Sequence, residues 1–157
     1  MEKSPNFVGD EHLFINHLNQ NTMAYKIIDI EGIGKAYAPK LIKAGIVTVD
    51  GLLKKCAAPK GRAALAEQTG ISEKLILTWA NHADLFRIKG VGPQFAELLE
   101  AAGVDTVKEF RHRVADNLVK KMQETNAAKR LVRRVPSVKQ VEKMIAQAKE
   151  LKPVMTY

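Results

Sequence analysis

The sequence predicts an all-α protein built from two related halves, and three observations carry that prediction. Apolar residues recur at helical spacing, as in Tyr37, Leu41, Ala44 and again in Phe95, Leu99, Ala102. Helix start and stop residues bracket those stripes. Residues 30–49, IEGIGKAYAPKLIKAGIVTV, return at 88–107 as IKGVGPQFAELLEAAGVDTV, with nine of twenty positions identical and no gap. Strand-like alternation is confined to a short piece at Lys26–Ile30.

The elements follow in order. Residues 1–22 belong to neither copy. They read as a tail, as an extra helix over His12–Leu18, or as the product of an upstream start codon. Met23-Ala-Tyr-Lys is the expected start of the folded part. Gly32 and Gly34 allow a tight reversal into a helix that Gly45 ends, and Gly90, Gly92 and Gly103 repeat the arrangement. Pro39 falls about one turn into the first of these helices, which predicts a late start or a bend. Pro59 opens a helix that Gly70 closes. Ser72 and Ser137 each cap a further helix, now at an offset of 65, so the second copy carries about seven extra residues. Thr106-Val-Lys-Glu109 and Ser137-Val-Lys-Gln140 have capping-box spacing. The expected domains are 1–22, 23–83 and 84–157, joined near Ala83–Asp84.

Composition narrows the function classes. The 157 residues suit one ordinary domain or two of about 60–75 residues each. No apolar run is long enough to span a bilayer, and Met1-Glu-Lys-Ser-Pro lacks the apolar core of a signal peptide. The single cysteine, Cys56, excludes an internal disulfide and a cysteine-based zinc site, so the chain is expected to be cytoplasmic. His12, His17, His82 and His112 show no metal-ligand spacing, and no catalytic triad, carboxylate pair or Walker loop is present. The chain is therefore expected not to be an enzyme and to need no cofactor. Aromatics at 6% argue against extensive base stacking, and Trp79, beside Leu75 and Ile76, reads as core.

The net charge of +8 points to a polyanionic partner. Residues 108–139 alone hold +7 of it, which favours a local binding face over charge spread for solubility. Within that window, a helical Lys129-Arg-Leu-Val-Arg-Arg134 would place Lys129, Arg130, Arg133 and Arg134 on one face. Turn and helix start together make the motif that carries chemistry. Glycines leave the backbone uncovered, and unpaired N–H groups at the positive end of a helix dipole favour a phosphate oxygen. Such contacts carry no base information. The two copies differ in charge. Lys35, Lys40 and Lys43 outnumber Glu31 in the first, whereas Glu97, Glu100 and Asp105 outnumber Lys89 in the second. Lys35 directly follows the first turn, and its counterpart is Pro93. The first turn is expected to bind and the second mainly to pack.

The pattern of hydrophobic-Gly-hydrophobic-Gly, then a helix ending in Ala-Gly-hydrophobic, resembles the helix-hairpin-helix motif. Residues 23–152 are further similar to a bacterial family of tandem helix-hairpin-helix proteins of unassigned function. The similarity rests on Asp29-Ile-Glu-Gly-Ile-Gly, Pro59-Lys-Gly-Arg-Ala-Ala-Leu-Ala, Thr69-Gly-Ile-Ser, Trp79-Ala-Asn-His-Ala-Asp-Leu-Phe-Arg-Ile-Lys-Gly-Val-Gly and Leu131-Val-Arg-Arg-Val-Pro-Ser. More distantly, each copy is similar to modules of RNA polymerase alpha subunits, recombinases and repair enzymes. That resemblance implies binding of duplex DNA without sequence preference, or of proteins, and a monovalent cation held by hairpin carbonyls in some relatives. The expected phosphate-binding residues are Gly32, Ile33, Gly34, Lys35, Lys40, Lys43, Lys89, Gly90, Gly92, Lys129, Arg130, Arg133 and Arg134. Expected location is the cytoplasm, at the nucleoid. A protein-binding adaptor and an RNA binder are the competing readings.

Overall fold

The computed structural model describes residues 25–157. Residues 1–22 and the expected start at Met23 lie outside the described residues. A 3₁₀ turn, Ile27–Asp29, precedes eight α-helices. These are α1 (Gly34–Lys43), α2 (Val49–Cys56), α3 (Pro59–Thr69), α4 (Glu73–Leu85), α5 (Pro93–Ala101), α6 (Val107–Phe110), α7 (Ala115–Lys129) and α8 (Val138–Glu150).

The strand-like alternation at Lys26–Ile30 builds no strand, in keeping with the all-α expectation. Asp29 accepts a hydrogen bond from the Lys26 N–H at 2.9 Å and curls the segment into the 3₁₀ turn. Only a single antiparallel bridge, Lys26 to Thr48, remains of the extended pairing. Pro39 neither delays α1 nor interrupts it: the helix begins at Gly34 and continues through the proline. Its cost is one missing N–H, which leaves the Lys35 carbonyl without its usual donor four residues on.

The predicted caps are largely present. Ser72, Thr106 and Ser137 each accept a backbone N–H at the third residue beyond, and Thr48 adds a further cap of the same kind. The reciprocal half of the capping box forms at Gln140 but not at Glu109, whose carboxylate turns to Arg113 at 3.0 Å instead. Gly45, Gly70 and Gly103 all have positive φ at helix ends. Hydrogen bonds also recur at the offset of 58. The Ile33 N–H donates to the Ile30 carbonyl, and that of Val91 to Ile88. After the helix, the Ile46 N–H donates to Leu41, and that of Val104 to Leu99. Beyond that, α4 and α8 are both 13 residues long and begin 65 residues apart.

One hydrophobic core runs through the described chain. Helix α2 packs against α3 and α4, α8 against α6 and α7, and α4 against α5. The expected join at Ala83–Asp84 falls inside α4, within a run from Trp79 to Ile88 in which every residue is buried. Asp84 and Arg87 are each about 2% exposed or less and lie 3.5 Å apart. Asp84 also accepts the Val107 N–H at 2.8 Å, so it caps α6, and Arg87 donates to the Lys152 carbonyl at 2.6 and 2.8 Å. The last residues return to the first half. Arg62 donates to the carbonyls of Cys56, Ala57 and Thr156 and lies over the Tyr157 ring.

Candidate nucleic-acid interface

The first glycine turn is Ile30-Glu-Gly-Ile33, closed by the Ile33-to-Ile30 hydrogen bond with Gly32 at φ +94°. A glycine at the third place of a hydrogen-bonded four-residue turn is what a type II turn demands. Ile30 and Ile33 anchor both ends in the core at 1% exposure. Ile33 therefore contributes only backbone to any surface contact. Gly34 follows at φ +50° with nothing within 4 Å of where a Cβ would stand. The N–H groups of Gly34, Lys35 and Ala36 form the first turn of α1 and have no acceptor inside the helix. Lys35 is exposed beside them.

Lys40 and Lys43 do not gather at that turn. They lie one to two turns further along α1, roughly 7 and 12 Å from Lys35 at the helical rise per residue. There they line a surface hollow with Gln68 and Thr69 of α3. Glu31, in the turn itself, lies near enough to Glu97 of α5 to act on it: burial first, then Glu31 and Glu100, push the Glu97 carboxyl above its ordinary range, while His82 and Lys129 pull the other way. Asp105 is raised too, by burial and then by Glu100 and Glu109. An acidic ridge thus borders the first turn. Under it lies buried His82, its Nε2 3.3 Å from Glu100.

The second turn, Ile88-Lys-Gly-Val91, has the same shape, with Gly90 at φ +94°. Its surroundings differ. The Lys89 N–H donates to Gln147 Oε1 of α8 at 3.0 Å. A Cβ on Gly90 would stand 3.2 Å from Met144 Cε, and one on Gly92 3.1 Å from the Tyr25 hydroxyl. Met144 occupies, 65 residues on, the place of Trp79, whose Nε1 would lie 3.5 Å from a Cβ on Gly32. Gln147 likewise corresponds to His82. The glutamine reaches the turn amide, whereas the histidine faces Glu100. Helix α8 thus holds the second turn, and Pro93 removes one further N–H from the start of α5.

The basic segment is not the helix that its sequence suggested. Helix α7 ends at Lys129, and Arg130 caps it with a left-handed φ of 53°. Two causes act together. The Asn126 side chain accepts the Val132 N–H at 3.0 Å and donates to the Val132 carbonyl at 2.9 Å, which folds the chain back. Pro136 disfavours helical backbone at Val135. The predicted single face of four cations therefore does not exist. Leu131 and Val132 pack inward instead, while Lys129, Arg130, Arg133 and Arg134 are exposed. Arg130 and Arg133 line one hollow with Gln94 and Asn126. Arg134 lines another with Gly90, Phe95 and Met144. The loop brings Arg134 beside the second glycine turn and Arg130 and Arg133 beside the start of α5, and among the described residues none of the three forms an ion pair.

Sequence reasoning missed Arg62, Asp84 and Arg87, buried charges whose partners are carbonyls and amides distant in sequence. Only the run Trp79–Ile88 with few exposed-type residues hinted at burial. Trp79 and Cys56 are core at 1% and 0% exposure, and burial pushes the Cys56 thiol up to about 11. Among the described residues there is no group of His, Cys, Asp and Glu placed to hold a metal, and no helix long and apolar enough to cross a membrane. A family model described as a domain of unknown function (DUF4332) matches residues 31–151. No curated protein and no solved structure matches the chain.

Proposed function

The chain belongs to the DUF4332 family, and we propose that this protein is a tandem helix-hairpin-helix protein that binds duplex DNA at the nucleoid without sequence preference. The observation that carries the reading is the exposed arginine loop, which sets Arg134 beside the second glycine turn and lies within residues 108–139, the window that holds +7 of the net +8. Arg130, Arg133 and Arg134 are planar donors suited to phosphate oxygens. The first turn adds the open amides of Gly34, Lys35 and Ala36 and the Lys35 ammonium. The second turn adds little by its backbone, because Gln147 already occupies the Lys89 amide. Arginine side chains take over the role that amides serve in the first half. Lys40 and Lys43 extend the positive surface along α1 rather than completing the turn site. No catalysis is proposed and no cofactor is required; the monovalent cation remains a feature implied by the resemblance.

Mobility-shift titrations of the full chain with unrelated duplexes, across a salt series, test this. Binding to all of them is expected, with a log–log slope of about −0.9 per phosphate neutralised. Arg133→Ala with Arg134→Ala should lower affinity equally on every duplex and reduce the slope by up to about two. Binding to one sequence alone, or none at low salt, overturns the proposal. A slope that the double substitution leaves unchanged removes the loop from the interface and favours the adaptor reading, with the acidic ridge and the basic loop meeting protein surfaces.

A further inference from the structure

Three surface hollows of the second half join into one trough. The first, about 570 Å³, is lined by Arg130 and Arg133 with Leu131 and Val132. Val132 also lines the second, about 370 Å³, together with Phe95, Met144 and Arg134. Met144 and Gln140 of the second line the third as well, about 320 Å³, where Lys89 and Lys143 supply the charge. Each hollow is large enough to take a small organic group. The five cations are exposed, whereas Leu131, Val132 and Met144 are half-buried and Phe95 is buried. Each hollow thus sets positive charge above apolar side chains, and no acidic residue lines any of the three.

A duplex makes poor use of such a surface, because its bases are stacked and paired and its backbone offers mainly phosphate and sugar. An unpaired strand uses both parts: its phosphates follow the positive rim while its base faces lie on the apolar floor. We propose that the trough holds an unpaired DNA strand continuing from the end of a bound duplex, its bases on Val132, Phe95 and Met144. The inference rests on the DNA reading and narrows it to DNA with a single-stranded tail. The arginines meet phosphates in either form, and the apolar floor serves the unpaired strand alone. Phe95 is the single aromatic residue lining the trough, which suits a short tail rather than a long stacked tract. The amide side chains there already hold backbone groups: Asn126 both those of Val132, Gln140 the Ser137 N–H and Gln147 the Lys89 N–H. Contact through charge and apolar surface carries no base code, so the tail is taken whatever its sequence.

Three fluorescent probes titrated against the full chain test this: a blunt duplex, the same duplex with a tail of about six thymidines, and the tail alone. The tailed duplex is expected to bind about tenfold more tightly than the blunt one. Met144→Ala should remove most of that preference and leave affinity for the blunt duplex unchanged. Lys143→Ala changes an exposed side chain and leaves the fold intact. It should reduce the salt slope on the tailed duplex by about 0.7, the value for one single-strand phosphate, and leave the blunt slope as it was. Equal affinity for tailed and blunt duplexes overturns the inference and leaves the duplex reading standing. Binding of the tailed duplex and of the tail, without the blunt duplex, supports the trough and overturns the duplex reading. An RNA tail preferred over the same DNA tail overturns the assignment to DNA. Polyglutamate that displaces the tail at equal charge overturns it in favour of an acidic peptide.

Discussion

Gly61 shows how one absent atom sets a helix junction. It sits at the start of α3, and a Cβ there would be driven into the Lys55 carbonyl oxygen. That backbone cannot yield like the far end of a side chain. Gly61→Ala is expected to cost about 2 kcal/mol or more, within the range for overpacking, read as a fall in the thermal midpoint. Gly34 is the contrasting case: space is open around it, so substitution meets only the strain of φ +50°. Gly34→Ala should cost about 1 kcal/mol in stability, and Gly34→Val should in addition weaken DNA binding by covering the amides. Glu97 supplies a pH test. Its folded pKa is raised, so its protonated form is the one that the fold favours. The stabilisation is complete below its ordinary value of 4.5 and is lost as pH rises through the raised value. Glu97→Gln should therefore raise the thermal midpoint at pH 7, and the gain should vanish below pH 4.5. A gain that persists in acid would place its cause elsewhere.

At the scale of elements, the two glycine turns share their backbone and differ in what packs on them. The turns are alike because Gly32 and Gly90 meet the same local demand and buried Ile30, Ile33, Ile88 and Val91 anchor them. The difference lies in α8, where Gln147 reaches a turn amide that His82 of α4 does not reach in the first half. Gln147→Ala should free the Lys89 N–H and raise DNA affinity severalfold, at a stability cost of about 1 kcal/mol for the lost hydrogen bond. An affinity that falls would mean the second turn depends on α8 for its shape. The loop after α7 depends on Asn126 in a comparable way. Asn126→Ala removes both bonds to Val132 and should cost about 1–3 kcal/mol.

For the whole molecule, the buried stretch Trp79–Ile88 decides cooperativity. A boundary between independent domains runs through exposed chain that few contacts cross. Here the junction of the halves is the interior, with Asp84 capping α6 and Arg87 holding the Lys152 carbonyl. The described chain is expected to unfold in one calorimetric transition, the van't Hoff and calorimetric enthalpies agreeing. Arg87→Met should cost about 3–5 kcal/mol, because it leaves the Asp84 carboxylate buried without its counter-charge. Two resolved transitions would show that the halves fold separately.

The sequence by itself determined the helices, their caps and the recurrence of the turns. Those features depend on residues within four or five places of one another: Ser and Thr hydroxyls on nearby amides, glycines at positive φ, apolar residues a turn apart. It also located the charge, since composition needs no coordinates. Local reasoning went astray at Lys129–Arg134, where Asn126 and Pro136 outweighed helical spacing. Only the tertiary structure decided which turn stays open, why Asp84, Arg87 and Arg62 are buried, and where Lys40 and Lys43 lie relative to the turn. Each of these depends on partners 23 to 94 residues away in the chain or on the direction in which a helix projects. A buried charge is tolerated only where distant amides, carbonyls and a counter-charge converge on it, and that convergence is a property of the packed chain rather than of any segment.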